Sequence, residues 1–199
     1  RLDSDEMKEL LTDVITGDAL DDNKKPYARR SNMRDTAIIA LLGGTGIRVS
    51  ELVGIDLNDI DWEHNCIRII RKGGNEDIVY FGDELHRYLE DYINYEREPG
   101  DDKEKALFVA SRKDKGRLTV RSVERIVSKY GTATIPSKHL SPHSLRRTFG
   151  TNYYEETSDL YAVADALGHK NIQVTKDHYA DISERKKQQV KEFSDKLLK

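Results

Sequence analysis

The sequence predicts a mainly α-helical fold with one small antiparallel β-sheet. Three observations carry that expectation. Apolar residues recur at helical spacing over most of the chain. The runs Cys66–Ile70 and 78–81 are rich in β-branched and aromatic residues, and the turn-forming Lys72-Gly73-Gly74-Asn75 lies between them. No internal repeat or low-complexity linker interrupts the pattern.

The elements follow in order. Leu10, Leu11, Val14 and Ile15 place a helix over residues 4–16, and the polar, Pro26-containing stretch 17–30 reads as a loop. Ser31 or Asn32 is placed to cap a second helix to about Leu42, which Gly43-Gly44 should stop. A third helix runs from Arg48 to Ile55, after the break at Gly44-Thr45-Gly46. Beyond the hairpin, Leu85, Leu89 and Ile93 mark a helix over 83–96, and a short strand is expected at 107–110. Thr119 should cap a helix over 120–130, and Ser141-Pro142 has the form of a helix opening. Ser158 should cap a helix ending at Gly168, and residues 182–197 read as a last, strongly polar helix.

With 199 residues the chain fits one full-sized domain, or one domain and a short appendage. Its single cysteine, Cys66, excludes an intramolecular disulfide framework and a Cys-rich zinc module. No apolar run approaches the roughly 20 residues that span a bilayer, and the N-terminus lacks a signal-peptide pattern. A cytoplasmic protein with no membrane partner is expected.

A net charge of −3 argues weakly against a nucleic-acid partner, but its distribution argues for one. Segments 1–28 and 81–106 are acidic, with 4 Lys/Arg against 8 Asp/Glu and 4 against 9. Segment 111–147 carries 10 basic residues against Asp114 and Glu124. Such asymmetry can build one positive face on an acidic body, as phosphate binding requires; it can equally be a solvated helix face.

Four stretches place polar groups where core building has no need of them. Arg48 opens a helix behind a glycine turn, so its guanidinium can reach an anion at that helix N-terminus, with Glu51 orienting it. An ordinary Arg–Glu surface pair fits the same spacing. In Arg71-Lys72-Gly73-Gly74 the lysine is either a solubilising turn residue or a mobile general acid. In His143-Ser144-Leu145-Arg146-Arg147, His143 and Arg146 share one helical face, suited to a phosphate, while Leu145 and Phe149 face the core. Arg147 is turned about 100° away. A zinc reading of His139 with His143 is disfavoured, because Pro142 breaks the helix that would align them. The last stretch is Leu167-Gly168-His169-Lys170-Asn171 with Asp177-His178-Tyr179-Ala180; Tyr179 is one tyrosine of ten, and only its neighbours single it out.

The order Arg … Lys … His-x-x-Arg … Gly-His … Tyr resembles the tyrosine recombinase family, the phage integrases and Xer-like proteins, from about Ser31 to Lys199. The string His-Ser-Leu-Arg-Arg-Thr-Phe-Gly-Thr-Asn looks most like integrases of mobile elements. The resemblance implies the catalytic-domain fold of DNA breaking–rejoining enzymes and a site-specific recombinase acting through a 3′-phosphotyrosyl intermediate. It implies Tyr179 as nucleophile, Arg48 and Arg146 as phosphate clamp, His143 and His169 as phosphate and proton-transfer ligands, and Lys72 as general acid. It also implies double-stranded DNA as partner, with no metal and no ATP, and a homo-tetramer on paired sites. Arg112, Lys113, Lys115, Arg117, Arg121 and Arg147 are the expected DNA contacts.

Family members usually carry an N-terminal core-binding domain, of which residues 1–20 would be a remnant or linker. Residues 21–199 would then be the catalytic domain of a longer protein, since the sequence opens on Arg1 rather than methionine. Segment 182–199, with a thin stripe of Ile182, Val190, Phe193 and Leu197, could dock on a neighbouring subunit or on its own. Four alternatives remain at this level. They are Xer-type chromosome or plasmid resolution, type IB topoisomerase-like relaxation, a non-enzymatic DNA-binding regulator, and a metal-dependent phosphodiesterase using His139, His143 and His169.

Overall fold

The computed structural model describes residues 1–97, 105–110 and 116–169. It divides into two compact units, Arg1–Phe149 and Gly150–Lys199. In the first, α1 (Ser4–Thr16) opens on a reciprocal cap. The Asp3 carboxylate accepts the Glu6 N–H at 2.8 Å, and Glu6 accepts the Asp3 N–H at 2.8 Å. Leu10 and Val14 are fully buried, and α1 packs against α3 (Asn32–Thr45) and α6 (Val120–Thr134). Lys138 is ion-paired with Glu6, and the Leu2 N–H donates to Thr148 Oγ1 at 2.9 Å. The stretch read as a loop contains one helical turn, α2 (Lys25–Ala28), with Pro26 in its first turn, where no N–H is needed.

Gly43-Gly44 does not stop α3, which runs to Thr45. Gly43 serves close packing instead: a Cβ there would lie 2.4 Å from Met7 Cε of α1. The helix ends at Gly46, which takes φ +66° and donates its N–H to Leu42 O at 3.1 Å. At the other end Ser31 makes no side-chain cap; Glu96 supplies it, accepting the Met33 and Arg34 N–H groups at 2.8 and 3.1 Å. Asp35, with no exposed surface, accepts Arg34 Nε and Nη2 at 3.1 and 2.8 Å and Lys129 Nζ at 3.1 Å. That buried charge cluster ties α3 to α6.

After α4 (Val49–Gly54) the chain forms a three-stranded antiparallel sheet in the order β1 (Ile60–Asp61), β2 (Cys66–Ile70), β3 (Glu76–Tyr80). Two-residue β1 was not expected; it is too short to show any alternation. The hairpin register pairs Ile67 with Val79 and Ile69 with Asp77, so β3 starts two residues earlier than its apolar run. Ile67 and Ile69 face inward while Arg68 and Ile70 face solvent. Next come α5 (Asp83–Asp91) and a π-helical turn (Tyr92–Glu96), covering the expected helix. The expected strand at 107–110 is reduced to isolated bridges, Asp56 with Ala106 and Val109 with Arg117.

Thr119 Oγ1 accepts the Ser122 N–H at 3.2 Å and opens α6 as expected, but the helix continues through Gly131 to Thr134. A Cβ at Gly131 would stand 2.5 Å from Leu140 Cβ, an atom fixed to the backbone of a buried residue. Gly131→Ala is therefore expected to destabilise the fold by about 1–3 kcal/mol through overpacking, outweighing the roughly 1 kcal/mol of helix propensity that alanine adds. Chemical denaturation of the two proteins measures the difference, and a stabilised variant would show that this contact yields.

Then α7 (Pro142–Thr157) opens on Ser141 and Ser144, which cap each other: Ser141 Oγ accepts the Ser144 N–H at 3.2 Å and Ser144 Oγ the Ser141 N–H at 2.8 Å. In the second unit α8 (Leu160–Ala166) is capped by Asp159, not Ser158. The Asp159 carboxylate accepts the Tyr161 and Ala162 N–H groups at 2.9 and 3.0 Å, while Ser158 sits at φ +58° one residue too early. The expected helix at 182–197 lies outside the described residues. Among those described, no helix is long and apolar enough to cross a membrane.

Candidate active site

Arg48 occupies the extended N-cap position of α4, two residues after the chain reverses at Gly46. Glu51 holds it twice, accepting the Arg48 backbone N–H at 2.7 Å on one oxygen and Nη1 at 2.8 Å on the other. The Glu51 side chain is 2 % exposed and that of Arg48 35 %, so a buried carboxylate aims a guanidinium that still meets solvent. The Arg–Glu spacing seen in the sequence is thus not an ordinary surface pair.

Arg146 reaches the same reversal from the far end of the unit. It lies on α7, is buried, and donates Nη1 to Gly46 O, 100 positions earlier in the chain. Arg146 is thereby bound to the chain two residues before Arg48, where α3 turns into α4. His143 stands one turn earlier on the Arg146 face of α7 and is exposed; Leu145 is fully buried, and Arg147 points to solvent. Phe149 is half-buried.

Lys72 is exposed in the β2–β3 turn. Its neighbour Arg71 continues the inward parity of Ile67 and Ile69. Arg71 Nε donates to Asp77 Oδ2 at 2.8 Å and Nη1 to Glu51 Oε2 at 3.2 Å. The Lys72 hairpin is therefore bonded to the carboxylate that holds Arg48. Arg71 carries no motif signal in the sequence, although strand parity turns it inward. Among the described residues that these ion pairs link, Arg48 and Arg71 balance Glu51 and Asp77, and Arg146 on Gly46 O adds a further positive charge suited to a phosphate anion.

The other expected residues are distributed as follows. His169 lies in the second unit, half-buried in the turn after α8, where its N–H donates to Ala164 O at 2.8 Å. Arg121 is exposed near the start of α6. Arg117 directs Nη1 to Val53 O and Ile55 O at 2.9 and 3.1 Å and pairs with Asp56, closing the C-terminal end of α4. Tyr179, Arg112, Lys113 and Lys115 lie outside the described residues, as does segment 182–199. Among the described residues no group of three or more His, Cys, Asp or Glu side chains is placed to hold a metal ion.

The family model of the phage integrase family matches residues 1–186. The chain belongs to the phage integrase family. Among relatives of this phage integrase family member, the tyrosine recombinase XerC of Corynebacterium glutamicum is 38% identical over 170 residues, 85% of this chain and 54% of that protein. XerC of Vibrio cholerae is 36% identical over 174 residues, 87% of this chain and 51% of its own length. The chain thus spans about half the length of these curated relatives. A crystal structure of XerA recombinase superposes with a TM-score of 0.73 at 26% identity, covering 89% of this chain and 58% of that one. The post-cleavage complex of XerH recombinase with a palindromic difH substrate gives 0.75 at 22% identity, covering 96% and 52%. The fold is that of a tyrosine recombinase catalytic domain.

Proposed function

We propose that the chain supplies the catalytic domain of a site-specific DNA recombinase or integrase that cleaves and rejoins strands through a 3′-phosphotyrosyl intermediate. The observation that carries this reading is the bond of Arg146 to Gly46 O, two residues before Arg48, with the Lys72 hairpin bonded to the carboxylate that holds Arg48. Two guanidiniums grip the non-bridging oxygens of a phosphodiester and stabilise the charge that grows there. The Tyr179 oxygen forms a bond to phosphorus, and the bond from phosphorus to the 5′ oxygen breaks. The phenolic proton passes to His143, and Lys72 protonates the departing 5′ oxygen. His169 completes the phosphate contacts. The bond energy is kept in the tyrosyl ester, so the freed strand end can reverse the step without ATP or metal.

Residues 21–199 carry this chemistry, with α1 as a buttress beneath α3. Arg112, Lys113, Lys115, Arg121 and Arg147 contact the DNA backbone, with Arg117 at the base of the same basic segment. Exchange of strands requires a homo-tetramer on paired duplexes, joined through segment 182–199.

The test uses the full chain and a nicked duplex library of randomised sequence, built so that a short strand diffuses away after cleavage. A covalent protein–DNA adduct at a 3′ end, formed equally in chelator, is the expected result. Failure to form any adduct overturns the proposal, and adducts lost in chelator point to metal-dependent cleavage. Integration or excision of a mobile element is the reading of the motif string. A second reading, Xer-type resolution, is favoured by the 36–38% identity to XerC proteins. It predicts resolution of a plasmid bearing two selected sites in direct repeat, whereas integration also joins two separate molecules.

A further inference from the structure

We propose that Arg71 is a positioning residue for strand cleavage, fixing the Lys72 hairpin to the carboxylate that holds Arg48, so that proton donor and phosphate clamp keep one geometry. The inference rests on the Lys72 and Arg48 roles proposed above. In the β2–β3 turn Lys72, Gly73, Gly74 and Asn75 are exposed and Arg71 is buried. Gly73 and Gly74 take φ +93° and +82°, and an added Cβ at either would meet nothing within 4 Å. Among the described residues nothing packs at the two glycines of the tip, and the backbone bonds Arg71 N–H to Asn75 O at 2.7 Å and Gly74 N–H to Arg71 O at 3.0 Å shape it without orienting it.

Arg71 supplies the orientation. Its planar fork bonds Asp77 across the hairpin and Glu51 on α4, so two fixed acceptors define its direction, and the next residue in the chain is Lys72. Glu51 then binds two guanidiniums, Arg48 and Arg71, and any movement of the hairpin is felt at Arg48. A buried ion pair is weak evidence of stabilisation, since apolar residues of like volume often serve as well. Its place at the shoulder of the proton donor is what gives this one a catalytic meaning: misplacement by about 1 Å far from the reacting atoms costs up to about 10²-fold in rate.

The proton-donor role is read by replacing the bridging 5′ oxygen with sulfur. The Tyr179 oxygen still bonds to phosphorus, but the bond that breaks is to sulfur, which keeps the electron pair and leaves as a thiolate because a thiol, ionising near pH 8.5, is far more acidic than an alcohol. No donated proton is needed. On ordinary DNA, Arg71→Gln is expected to slow cleavage by about 10-fold or more, a part of the 10²–10⁴ a general acid supplies. On the sulfur substrate it should fall within a few-fold of the unsubstituted chain, which also shows that it folds. Lys72→Ala should give the same pattern with a larger first loss, and Arg48→Ala should be slow on both substrates.

Equal slowing of Arg71→Gln on both substrates, or none on ordinary DNA, overturns the inference. Should that variant fail to fold, Asp77→Ala removes the half of the fork within the hairpin and keeps the Glu51 bond. It is expected to show the same selective loss, smaller in size, and an unselective loss counts against Arg71. If sulfur does not rescue Lys72→Ala, the role of Lys72 itself is wrong. If it rescues Lys72→Ala but not Arg71→Gln, only Arg71 is misassigned.

Discussion

The full chain carrying Tyr179→Phe is expected to form no covalent adduct with a nicked duplex, while its melting temperature and its affinity for DNA stay close to those of the unsubstituted chain. The substitution removes one oxygen atom, the atom that would bond to phosphorus. Nine further tyrosines remain among the ten, each with the same phenol, so the expectation is strict only if position supplies the reactivity. Holding a nucleophile in line with its target is worth an effective concentration of about 10⁵–10⁸ M, which a tyrosine elsewhere on the surface lacks. Loss of one hydrogen-bonded hydroxyl costs about 0.5–1.5 kcal/mol of stability, too little to empty the folded state. Adducts are counted on a denaturing gel with an end-labelled strand, and DNA affinity by fluorescence anisotropy. An adduct persisting at unsubstituted levels removes Tyr179 from the mechanism and directs the search to whichever residue carries the label.

Much of the fold was legible because it rests on local rules. Helical spacing gave α1 its residue range, and the turn residues joined β2 to β3; Thr119 and Ser141-Pro142 announced α6 and α7. What failed depends on partners distant in sequence. Gly43 and Gly131 look like helix stops but are packing notches against Met7 and Leu140, and only the neighbouring element reveals this. The cap of α3 comes from Glu96, 63 residues from Met33, so Ser31 was given a task it does not perform. The Asp35 cluster was invisible, because a charged residue early in a helix normally faces water.

The candidate site divides in the same way. Motif order named Arg48, Lys72, His143 and Arg146, but the bonds that hold Arg146 and the Lys72 hairpin run to a backbone carbonyl, Gly46 O, and to a buried carboxylate, neither of which leaves a distinctive mark in sequence. The sequence left Glu51 open between orienting Arg48 and an ordinary surface pair; its burial and two bonds to Arg48 decide for the first, and its hold on Arg71 follows from the packing of α4 on β2.

Arg146→Ala and Arg147→Ala should separate chemistry from binding, although the two residues are adjacent and carry the same charge. Arg146 is buried and held on Gly46 O beside Arg48, whereas Arg147 is turned to solvent on the next face of α7. Removing a donor preorganised on the transition-state oxygens costs about 2.7–4 kcal/mol of barrier, or about 10²–10³ in rate. That loss is expected for Arg146→Ala even at saturating DNA, because filling the site does not restore the missing fork. A phosphate contact on the rim behaves otherwise: Arg147→Ala should weaken binding uniformly across sequences and lower the slope of log affinity against log salt by about 1. Once DNA saturates it, its single-turnover cleavage should lie within a few-fold of the unsubstituted chain. Arg146→Ala also leaves the Gly46 carbonyl without its charged donor, so thermal melting of each variant distinguishes a lost clamp from a loosened α3–α4 reversal. Arg146→Lys sharpens the distinction, since it keeps the charge while losing the planar fork, and it should recover less than a tenth of the rate if geometry rather than charge is what the phosphate requires. Equal cleavage defects for the alanine variants at saturating DNA would mean that burial beside Arg48 confers no catalytic role on Arg146.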